Sequence, residues 1–84
     1  MVKQIYSFED VKVQVFHSPM VLLNDNDARR LLADVVADGS TPISKHPEDF
    51  RLVRLGEFND NSGLLSSLAT PEFIANATEY VQSK

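Results

Sequence analysis

Ala28, Leu31, Leu32, Val35 and Val36 recur at i, i+3, i+4, i+7 and i+8, which is one apolar stripe along an α-helix. Directly before it stands Asn24-Asp25-Asn26-Asp27, short polar side chains of the kind that cap helix N-termini. Asp25 and Asp27 also suit the positive end of the helix dipole, and Gly39 offers a C-terminal stop. A helix that is apolar on one side only must lay that side on something.

The flanking segments supply strands. Residues 2–8 are rich in β-branched and aromatic side chains, with Val2, Tyr6 and Phe8 sharing a face with Gln4. Glu9 and Asp10 read as a turn. Val11, Val13 and Val15 then alternate with Lys12 and Gln14, so residues 11–15 read as the return strand of a hairpin. His17-Ser18-Pro19 ends that strand, because proline cannot donate to a ladder. Residues 39–49 read as a loop with one helical turn at Pro47-Glu48-Asp49. Residues 51–58 form the third strand, Asn59-Asp60-Asn61-Ser62-Gly63 a hairpin turn with glycine at a positive φ, and residues 64–68 a short partner strand. Thr70-Pro71-Glu72 has the capping hydroxyl, proline and acid of a helix start, followed by an apolar stripe of Phe73, Ile74, Ala77, Tyr80 and Val81. The expected fold is therefore α+β. It is a small single domain over residues 1–84, with an antiparallel sheet of about four strands in two hairpins, two amphipathic helices and the order ββαββα.

A chain of 84 residues buries only about 60–65% of its unfolded surface, so this core is thin. There is no cysteine, which removes disulfides and thiolate zinc sites and fits a reducing compartment. Association into a homodimer or larger homo-oligomer is the remaining way to bury more surface. No apolar run is long enough to cross a bilayer, so no membrane partner is expected, and the first ten residues lack the apolar centre of a signal peptide. The net charge of −4 argues against a general nucleic-acid coat, whose affinity comes from phosphate neutralisation.

Candidate chemistry is sparse. Glu9-Asp10 and Glu48-Asp49 are adjacent carboxylates, whereas acid/base pairs need two carboxyls facing one substrate. His17 and His46 show no metal-ligand spacing. Ser44, His46 and Asp49 make a triad only on paper, without a nucleophile elbow. With Gly63 at the sixth position of a calcium loop, Phe58 and Ala69 would fall on ligand positions, so that match fails. Three scattered glycines build no phosphate loop. An enzyme is not expected, nor a cofactor or metal. The basic residues concentrate between Arg29 and Arg54. Arg29 and Arg30 lie off the helix stripe, with Arg30 one turn from Asp34. In a regular strand Arg51 lies with Val53 and Leu55, and Arg54 with Leu52 and Phe58. A face carrying Arg54 and Phe58 would bind single strands by charge and stacking.

The segment KHPEDF at residues 45–50, with GEFNDNSG at residues 56–63, resembles the small non-structural protein of gokushoviruses and related microviruses, which are single-stranded DNA phages. Ile5-Tyr6-Ser7, Asp10, Phe16 and Pro19 fit the same pattern, as do Ala28, Arg30, Asp34 and Val36. Leu32 stands where the pattern has phenylalanine. The likeness covers residues 2–65 and fades after Ala69, dividing a family-like core at 1–69 from a C-terminal helix at 70–84. It implies a protein of the bacterial host cytoplasm, absent from the virion, that serves viral DNA synthesis and packaging. Its partners would be the replication complex, the procapsid or single-stranded DNA. If DNA is bound, Arg29, Arg30, Lys45, Arg51 and Arg54 are the candidate contacts. The alternative is an acidic, homo-oligomeric protein-interaction module, with Glu9, Asp10, Glu48, Asp49 and Glu57 turned to a basic phage or host protein and no DNA bound.

Overall fold

The structure is a computed structural model and describes residues 1–81. Strands β1 (Val2–Asp10), β2 (Val15–Phe16) and β3 (Met20–Leu22) precede helices α1 (Asp25–Ala37) and α2 (Pro42–Lys45). A 3-10 turn at Pro47–Asp49 leads into β4 (Phe50–Asn59) and β5 (Leu65–Asn76), and a second 3-10 turn at Ala77–Tyr80 follows. All pairings are antiparallel, in the order β2-β1-β4-β5, with β3 on the same edge of β1 as β2. That edge is one broken strand, interrupted where Pro19 has no N–H to give.

The α+β class and the antiparallel sheet match expectation, while the order and helix count do not. Helix α1 forms where its stripe and caps place it: Asn24 Oδ1 accepts the Asp27 N–H at 2.9 Å. Its C-terminus is closed by Asp38, whose N–H donates to the Asp34 carbonyl at 3.0 Å, and Gly39 keeps a negative φ. The expected strand at 11–15 is mostly a turn. Asp10 Oδ1 accepts the N–H groups of Lys12 and Val13, Gln14 takes φ 62°, and β1 runs on through Glu9 and Asp10. A local side-chain bond here outcompetes the alternation of the three valines, all exposed. The expected loop at 39–49 contains α2 as well as the anticipated turn at Pro47–Asp49, with Thr41 capping α2 through the Ser44 N–H.

The largest correction is the C-terminal helix at 70–84. Residues 70–76 belong to β5, because β4 takes them as its ladder partner, with Arg54 opposite Glu72, Val53 opposite Phe73 and Leu52 opposite Ala75. Pro71 is tolerated because residues 68–71 bulge out between the Gly56–Ser67 and Arg54–Glu72 pairs. The true capping box is six residues later. Asn76 opens a single 3-10 turn, and its N–H donates to Glu79 Oε2 at 2.7 Å. The remainder of the expected helix, residues 82–84, lies outside the described residues.

The core lies between the sheet and the helices. Tyr6, Phe8, Phe50, Leu52 and Ala75 on one sheet face meet Ala28 and Leu32 of α1, Ile43 of α2 and Ala77. Burying a side chain such as Leu32, fully enclosed here, contributes about 1.5–3 kcal/mol. His17 closes one end, its ring edge-on to Phe50 at 5.4 Å.

Candidate functional site

Where the N-terminus of α1 crosses the sheet, an open cleft of about 630 Å³ is lined by Gln4 of β1, Asn24, Asp25 and Arg29 at the start of α1, Arg54 and Glu57 of β4, and Glu72 of β5. Strand register assembles it. Gln4 lies opposite Glu57, and Arg54 lies opposite Tyr6 on one side and Glu72 on the other, so all share the helix-side face. Arg54 is held at both ends: Nη1 donates to Gln4 Oε1 at 2.7 Å, and Nε to Glu72 Oε1 at 3.1 Å. At the edge of the cleft Tyr6 Oη donates to Asp25 Oδ1 at 2.6 Å. Burial, and then this bond to a carboxylate, push the Tyr6 phenol well above its ordinary range. Two cations face three carboxylates, which suits a partner offering both charges and repels a run of phosphates.

Of the five basic residues expected to act together, the structure brings Arg29 and Arg54 into this cleft and separates the rest. Arg30 is exposed and pairs with Asp27 at 3.2 Å, one turn back, rather than with Asp34. Lys45 ends α2 and is exposed. Arg51 pairs with Glu9 at 2.6 Å on the opposite sheet face. The expected face carrying Arg54 and Phe58 together does not form. Leu55 is an extra residue between the Arg54–Tyr6 and Gly56–Ile5 pairs, and this bulge flips everything after it, so Phe58 lies on the side of Arg51.

The turn after α2 gathers His46, Glu48 and Asp49 so that their ligand atoms lie within 4.8 Å of one another, a set of donors that fits a divalent ion but is mostly exposed. Ser44 takes no part in a triad, because its hydroxyl donates to the Thr41 carbonyl at 2.8 Å. Sequence reasoning missed Tyr6, Asp25, Glu57 and Glu72 as neighbours. Only the shared face of Gln4 and Tyr6 was visible beforehand.

A protein-family model described as Phage ORF5 protein matches residues 3–80, which takes in every strand and helix but the first residue of β1 and runs past Ala69. No curated protein and no solved structure matches the chain.

Proposed function

The chain belongs to the Phage ORF5 protein family, and on that premise we propose that it is a non-enzymatic accessory factor of a gokushovirus-like phage. It serves single-stranded DNA synthesis and packaging by engaging the replication complex or procapsid through protein contacts. The observation that carries this reading is the pairing of three of the four arginines: Arg30, Arg51 and Arg54 each bond a carboxylate within the chain. A guanidinium already paired with a carboxylate must give up that partner, or bring its negative charge along, to neutralise a phosphate, so it displaces fewer of the DNA's condensed counterions and adds less to affinity. The mixed-charge cleft instead resembles the rim of a protein interface, where complementary charges set orientation and partner choice.

The test pairs two measurements. Fluorescence anisotropy with labelled single- and double-stranded DNA, at low and moderate salt, is expected to show no salt-dependent binding. Pull-down with phage replication and procapsid proteins is expected to retain one of them, and Arg54→Glu to lower that retention about ten-fold. Micromolar single-strand binding that falls with salt, and weakens in an Arg51→Ala/Arg54→Ala variant, would replace this reading with direct DNA contact at those residues.

A further inference from the structure

The sheet has two faces, and the helices cover one. On the other, cross-strand register aligns Phe16 and Val21 on the broken edge strand, Ile5 on β1, Val53 and Phe58 on β4, and Phe73 and Leu65 on β5. Val53 is almost fully buried by its neighbours yet lies outside the main core cluster, so it centres a second, smaller apolar patch. No helix among the described residues covers it. Phe16, Val21, Phe73 and Leu65 are 44%, 48%, 50% and 69% exposed, unusual for large apolar side chains gathered on one face.

We infer that this face is the interface of a symmetric homodimer in which two copies stack sheet on sheet. Area supports a second copy. A compact monomer of 9.4 kDa exposes roughly 5000 Å², whereas this chain exposes 5470 Å². Four strand positions spaced about 4.8 Å apart and ten residues long present a face of roughly 600 Å² in projection. Two such faces together come to roughly 1200 Å², the lower end of a specific interface. Charge supports it too. Arg51 is neutralised by Glu9 and Lys3 lies 3.8 Å from Asp60, so the face calls for no oppositely charged partner and does not repel its own copy, although the chain carries −4 overall. A two-fold axis needs a self-complementary patch, and an apolar centre with internally paired charges at its margin is one. The mixed-charge cleft lies on the helix side and stays open in such a dimer, so the inference stands whichever phage component that cleft engages.

Light scattering after size exclusion, with wild-type protein taken to high micromolar concentration, tests it. A mass twice 9.4 kDa is expected. Phe73→Glu should weaken the dimer about ten-fold or more, while Val13→Glu, exposed in the turn after β1, should leave it intact. Circular dichroism confirms that each variant is folded, and Val21→Glu decides the question if Phe73→Glu is not. A monomeric wild type, which would leave the face to a different protein, overturns the inference. So does an assembly that survives the folded charge variants.

Discussion

Tyr6 is the largest fully buried side chain among the described residues, and its hydroxyl ties β1 to the first turn of α1 through Asp25. Burial and the Asp25 bond raise its pKa, and Arg54 only partly opposes them. In the unfolded chain the phenol titrates near pH 10. Above that pH the unfolded state sheds a proton that the folded state keeps, so the full contribution is present below about pH 10 and is lost progressively as pH rises from there toward the folded pKa. Urea unfolding from neutral pH to about pH 11 should therefore show a steeper alkaline loss for wild type than for Tyr6→Phe. The variant should cost about 1 kcal/mol at neutral pH. Identical alkaline slopes would contradict the assignment. At this scale the sequence showed Gln4, Tyr6 and Phe8 on one face, since alternation is local. It did not show Asp25, because that contact depends on where α1 lands. Nor did it show the separation of Arg54 from Phe58, because one extra residue at Leu55 leaves no mark in the hydrophobic pattern.

Among the elements, the β4–β5 hairpin is the longest pairing outside β1–β4, and it depends on Gly56. A Cβ there would overlap the Ser66 carbonyl, a backbone atom that cannot swing away. Gly56→Ala should destabilise the protein by about 1–3 kcal/mol. Gly39→Ala, where nothing lies within 4 Å of the added carbon, should stay within about 0.5 kcal/mol. Denaturant midpoints compare the two, and equal midpoints would mean that β5 does not approach β4 so closely. The hairpin turn was legible because Gly63 takes φ +78°, a conformation that few other residues accept. Helix α1 was legible for the same local reason, its caps and stripe agreeing. The C-terminal helix was misread because Thr70-Pro71-Glu72 and the stripe behind it satisfy helical rules locally. The ladder to residues 51–54 is long-range, and it takes Phe73 to the open face while Ile74 packs toward the core.

Taken whole, the molecule is drawn out, with extents of 46 × 23 × 18 Å and a Cα radius of gyration of 13.2 Å, against roughly 12 Å for a compact chain of this length. A thin core was legible from length and the lack of cysteine. Which sheet face would be left bare was not, because that depends on the path of α1 across the sheet. If two bare faces close on one another, folding and association are linked, and thermal stability becomes a function of protein concentration. A ten-fold rise in concentration then favours the folded dimer by about 1.4 kcal/mol, half of that per chain. For a domain of this size that moves Tm up by roughly 3–5 °C. Phe73→Glu should show a lower Tm that depends less on concentration, because more of its chains then unfold as monomers. Thermal unfolding followed by circular dichroism at two concentrations reads this directly. A wild-type Tm that stays fixed across them would mean that the second apolar patch is stable in water as it stands, held by Val53 and its immediate neighbours.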